Sequence, residues 1–173
     1  MTINQSKRTN RLFGALILGC MLLIIWEVFI YEKTFIPLFI PLSIWLLTGI
    51  VITILSRGKF VYQPKPSPFK QLLFNIIVWG GLALFSFMWM NYHLCAKTTS
   101  VINEKILSAG HVTQKINSNS CEQPFVVVAY KGQKKQLMFD CDTPVESYTS
   151  VDLTISRGFF GFDILLQSKL KAD

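Results

Sequence analysis

The sequence predicts an α+β membrane protein: three transmembrane helices followed by a small, mostly antiparallel β domain, barrel-like or a meander, outside the cytoplasm. Three observations predict it. Long apolar runs fill most of the first 95 residues; the basic residues around those runs fall on one side; and beyond residue 97 continuous apolarity gives way to short alternating segments.

A bilayer core takes about 20 apolar residues as helix, and lipid offers no partner to an unpaired backbone group. The runs at 12–30, 34–55 and 72–92 therefore each read as one span, together a transmembrane region over 12–95 after a cytoplasmic segment at 1–11. Lys7, Arg8 and Arg11 precede the first span, and Arg57, Lys59, Lys65 and Lys70 separate the second from the third, whereas only Lys33 lies between the first two. By the positive-inside bias the amino terminus and the 57–70 loop are cytoplasmic, and the residues after Tyr92 are outside. The expected location is the plasma membrane, or the inner membrane if the chain is bacterial.

The first run has a basic start and an apolar stretch, as a signal peptide has, but Trp26 to Tyr31 offers no small-x-small cleavage site, so an uncleaved anchor is expected. Trp26, Phe29 and Tyr31, and Trp89 and Tyr92, mark outer ends of spans, since such rings settle at headgroup level. Pro37 and Pro41 fall in the first turns of the second span, where a missing N–H costs least. Gln63 to Pro68, with three prolines, reads as a short extended link. Ala15 with Gly19, and Gly80, Gly81 and Ala83, suit close helix approach, within one chain or between copies.

Strands are expected near 100–107, 111–116, 125–129, 133–139, 151–157 and 162–167, the first with helix as its alternative. Val151, Leu153 and Ile155 alternate with polar neighbours, as do Phe162, Ile164 and Leu166, each set giving one buried face. Tyr130-Lys131-Gly132 reads as a three-residue hairpin loop opposing Ala129 with Gln133. Followed outward, that register sets Cys121 against Cys141, on the side of a membrane where disulfides persist. Closing about 20 residues, the bond contributes roughly 3 kcal/mol, which a domain as small as 97–173 needs. Val151 to Ile155 together with Arg157 to Phe162 resemble the small barrel domains that follow transmembrane helices in several envelope protein families. No residue role is carried over from that likeness.

Chemistry-bearing motifs are absent. Cys121 and Cys141 lack redox spacing, Cys20 and Cys95 fit their spans as small apolar residues, and neither Cys nor His clusters as zinc requires. Asp140, Asp142, Glu146 and Asp152 show no calcium-loop spacing and suit turns and solvent faces. No nucleophile elbow or phosphate-binding glycine loop is present. Neither a cofactor nor a metal is expected, and the reading is non-enzymatic. Residues 97–173 carry nine Lys/Arg against eight Asp/Glu, which argues against a nucleic-acid partner; the net charge of +7 comes from the cytoplasmic flanks.

Glu27 is the one acid within a span. Near the outer end, it is expected to snorkel or to pair with Lys33, and His93, at similar depth, offers an interfacial polar pair with it. The expected function is display of the β domain for protein binding, as an envelope accessory, assembly or immunity-type factor. Phe159, Phe160 and Phe162 are the candidate contacts; their alternative role is to close the small core or rest on the membrane. Expected partners are membrane lipids and a protein or a second copy. The rival readings are a subunit of an oligomeric transporter or channel, for which few polar residues line the spans, and third a membrane enzyme with a site at the outer interface.

Overall fold

A computed structural model describes residues 3–56, 67–116, 119–141 and 143–172, with side chains described from 14 onward except at 113–121. The chain divides into two compact units: a helical one of residues 1–32 and 37–94, and a β unit of residues 33–36 and 95–173.

The helical unit contains α1 (Ile3–Glu32), α2 (Phe39–Leu55), α3 (Pro68–Asn75), a π-helical turn (Ile76–Gly80) and α4 (Gly81–His93). Two stretches, Gly14–Glu32 and the continuous Pro68–His93, are long and apolar enough to cross a membrane. α2 has 17 residues, about 26 Å of helix. It is shorter than the 34–55 run because Thr34 to Ile36 leave the helix. Pro37 biases the residue before it away from helix, and its carbonyl accepts from Ile40 N (3.0 Å) to start the first turn. At the other loop, Pro68 opens α3 instead of ending an extended link. Ser67 caps it, its Oγ accepting from Lys70 N at 3.4 Å, and a proline at the first helical position lacks only a donor the helix does not use. The remainder of the proline-rich link lies outside the described residues.

Glycine sets the packing of α2 on the third helical stretch. A Cβ on Gly49 would stand 2.6 Å from Ile76 Cα, and one on Gly80 would strike the Trp45 carbonyl. Hydrogen bonds reinforce this seam: Trp45 Nε1 donates to Ile76 O (2.9 Å), and Asn75 Nδ2 donates to Thr53 Oγ1 (2.9 Å). Interhelical polar contacts of this kind are expected between apolar helices. Gly19, by contrast, has nothing within 4 Å of its Cβ position, and Gly81 meets only Ile24.

The β unit is a curled antiparallel sheet of β1 (Thr99–Ile116), β2 (Asn119–Tyr130), β3 (Gln133–Met138), β4 (Ser150–Arg157) and β5 (Asp163–Lys171), in the order β3-β2-β1-β4-β5. The 18-residue β1 joins its two halves. Residues 99–105 pair with β4, and 106–116 with β2, with a register shift between Ile106 and Ser108. Such an irregularity bends a strand and strengthens its twist. The helical alternative for 100–107 is thus excluded, and the two strands expected at 100–107 and 111–116 are one. Gly110 does not end the strand because it accommodates the Phe125 ring, 2.8 Å from where a Cβ would stand.

Two registers differ from expectation. Tyr130 pairs with Gln133 and Ala129 with Lys134, leaving a two-residue turn in which Lys131 (φ 48°) and Gly132 (φ 78°) are both left-handed. This matches the right-handed twist of a hairpin, and it moves the whole β2–β3 pairing by one residue. On β5, a shift opposite Thr154/Ile155 leaves Leu166 unpaired and 49% exposed, so the expected Phe162-Ile164-Leu166 face is broken. Ile164 is buried while Leu165 and Leu170 pack on the core. β4 keeps its alternation, with Val151, Leu153 and Ile155 buried.

Residues 33–36 complete the β unit. Thr34 bridges Ile164, Phe35 N donates to Asp163 O (2.8 Å), and Leu165 N donates to Lys33 O (2.8 Å). Phe35 then enters the core with Val126, Val128, Tyr130, Leu137 and Val145.

Candidate functional site

A tight polar arrangement in the β unit lies where the β2–β3 turn reaches the start of β5. Tyr130 Oη donates to Asp163 Oδ2 (3.0 Å), and Lys131 Nζ donates to the same oxygen (2.5 Å). Lys135 Nζ donates to Thr34 O (2.7 Å) and stands 4.8 Å from the Phe35 ring centroid, while that ring meets Tyr130 edge-on at 4.8 Å. Burial, and then the hydrogen bond to Asp163, push the Tyr130 phenol above its ordinary value. The same carboxylate raises Lys131. Two ends of the curled sheet and the 33–36 segment are latched together here. Asp163 is a missed residue: an aspartate beginning a strand looks like a turn residue, and only its proximity to Lys131 and Tyr130 reveals the latch.

The second arrangement is the turn between β4 and β5. Gly158 N donates to Phe162 O (3.0 Å) and Gly161 N to Gly158 O (2.9 Å), with Gly161 at φ 85°. This turn holds Phe159 and Phe160 outward, 54% and 42% exposed, with their rings edge-to-face at 5.0 Å. Phe162 is half-buried at the foot of the turn. The three aromatic residues therefore divide, two displayed and one partly packed. Ser156 Oγ donates to Ala96 O (2.6 Å) and Ala96 N to Arg157 O (2.8 Å), which fixes the base of the turn to the first residues of the β unit. Two exposed aromatic rings on a hydrogen-bonded turn suit contact with an apolar surface.

The third is Glu27. It neither snorkels nor pairs: it is 4% exposed, and neither carboxylate oxygen has a hydrogen-bond partner. Spaced along α1 with Ile24 and Tyr31, it lies on the face turned toward α2 and α4 and lines a groove of about 260 Å³ with Leu38, Trp45 and Met88. His93 is exposed, its ring against Trp89 (5.0 Å) and Tyr92 (5.1 Å). Glu27 and His93 thus form no pair.

Cys20 and Cys95 are free thiols. The side chain of Cys121 lies outside the described residues, so the pairing expected with Cys141 carries no geometry here. Among the described residues no group of three His, Cys, Asp or Glu side chains is gathered as a metal would need. Glu146 makes an exposed contact with His111 (3.5 Å), and Asp152 Oδ1 accepts from Asn103 Nδ2 (2.7 Å).

Comparison with protein-family models, with curated proteins and with solved structures finds no match.

Proposed function

We propose that this chain is an integral membrane protein with three spans, an inner amino terminus and an outer β unit that binds a protein partner, as an envelope accessory, assembly or immunity-type factor. The observation that carries the binding reading is the β4–β5 turn, which spends two glycines and two backbone hydrogen bonds on holding Phe159 and Phe160 in solvent. Aromatic side chains have few rotatable bonds to order when covered, and they bury large apolar area at interfaces. The edge strand β3 gives a second mode, addition of a partner strand.

The topology is supported by charge and by connectivity. Seven basic residues flank one side and only Lys33 lies in the first loop. That loop, 33–36, belongs to the same compact unit as residues 95–173, which supports placing both on one face of a membrane.

The disulfide Cys121–Cys141 is part of the same reading. Cys20 and Cys95 are free thiols, which leaves Cys121 and Cys141 as the proposed pair. The observed pairing, continued past the bond from Phe139 N to Pro124 O, sets Cys121 one residue out of step with Cys141 instead of directly opposite. Cys141 lies beyond the end of β3, in a turn.

Placing a photo-crosslinking residue at position 160 in the full chain, in cells, tests the binding role. One discrete protein adduct is expected at 160, lost with Phe159→Ser and absent when the probe is at Gln136. Adducts to lipid alone would contradict it.

A further inference from the structure

Among the described residues, Glu27 is a buried carboxyl with neither oxygen hydrogen-bonded. A carboxyl in an apolar setting without a donor costs several kcal/mol in lost hydration, and acids in spans are retained for a use. Glu27 nonetheless turns inward, 4% exposed. The groove it lines has no Lys, Arg or His among its described walls, and the Trp45 N–H is already committed to Ile76 O (2.9 Å). None of these walls therefore brings a positive charge to the carboxyl.

We propose that this groove binds a small lipophilic amine, the ammonium donating to the Glu27 carboxylate and the apolar body lying among α1, α2 and α4. An ammonium supplies the positive charge the walls lack, and N–H donors for the carboxylate with it. Tyr31 and Trp45 bring aromatic rings to the same groove, and such faces attract cations. Ile24, Leu38 and Met88 suit the apolar body. At about 260 Å³ the space lies just below the usual range of about 300–1,000 Å³ for small-molecule sites, so it admits roughly ten heavy atoms. The ammonium of an ethanolamine headgroup has the same chemistry as that of a free amine. All the walls of the groove belong to the helical unit.

The full chain is placed in phosphatidylcholine nanodiscs and titrated by calorimetry with 2-phenylethylamine and with 2-phenylethanol, which has nearly the same shape and no charge, with empty nanodiscs subtracted. The amine is expected to bind at least tenfold more tightly than the alcohol. Glu27→Gln should remove that preference while leaving alcohol binding unchanged, and Met88→Trp, which fills the groove, should weaken both. Equal affinity for the two probes on the unaltered chain overturns the proposal even if no variant can be produced, as does an amine preference that survives Glu27→Gln. Exchanging phosphatidylcholine for phosphatidylethanolamine assigns the source: a fall of threefold or more in apparent amine affinity makes the lipid headgroup the occupant, and an unchanged value makes it a free amine.

Discussion

Phe35→Ala measures whether a segment between two helices truly belongs to the core of the β unit. The ring is 5% exposed, meets Tyr130 edge-on at 4.8 Å, and has the Lys135 ammonium 4.8 Å from its centroid. Truncating a buried phenylalanine costs about 3–5 kcal/mol. The aromatic pair, about 0.5–1.5 kcal/mol by itself, places this case near 4 kcal/mol. All four tryptophans lie in the helical unit, so their fluorescence is blind to this change. Amide hydrogen exchange of β2 in detergent reads it directly. At 1.4 kcal/mol per factor of ten, Val126 and Val128 should exchange roughly a thousandfold faster if they open with the whole unit. Phe159→Ala, on the exposed turn, should change those rates by less than about threefold. If Phe35→Ala also changed them by less than threefold, the 33–36 segment would not be a structural part of the sheet.

Gly80→Ala should loosen α2 from the third helical stretch by about 1–3 kcal/mol through overpacking, because the new methyl meets the Trp45 backbone; a lower thermal midpoint in detergent with shifted tryptophan emission is expected, whereas Gly19→Ala should leave both unchanged. Tyr130 and Lys131 hold their protons more tightly folded than unfolded, so the β unit should be stable through neutral pH and lose stability as pH rises above about 10; Asp163→Asn should flatten that alkaline fall in urea midpoint, and an unchanged profile would dismiss the latch. Protein recovered under oxidising conditions, with thiols blocked before digestion, should yield a peptide pair linked at Cys121 and Cys141; two free thiols there would remove the staple.

Regular patterns were legible in the sequence, and deviations from them were not. Val151, Leu153 and Ile155 alternate strictly, and all three are buried. The first and third apolar runs became helices because nothing interrupts them. Thr34 to Ile36 could not be told from the start of a span, since a β-branched and aromatic triplet within an apolar run fits lipid and a sheet edge equally well. The hairpin register moved by one because Lys131, a residue with a Cβ, takes a left-handed conformation, while composition put that burden on glycine alone. Leu166 is as apolar as Ile164, so the bulge that exposes it leaves no trace in the pattern. Phe159 and Phe160 were identifiable as candidates from the aromatic run, but only the hydrogen bonds of Gly158 and Gly161 separate them from Phe162. Glu27 was singled out as an acid in a span; its inward direction depends on which face of α1 meets α2 and α4, and that is a property of packing.

The sidedness of the β unit is the claim on which the proposed function rests. In a chain with Cys20 and Cys95 replaced by Ala, Lys169→Cys on β5 and Lys70→Cys at the start of α3 each introduce one thiol for labelling by a membrane-impermeant maleimide in intact cells. The account predicts labelling at 169 without permeabilisation and at 70 only after it; labelling of both from the same side would contradict three spans and an outer β unit.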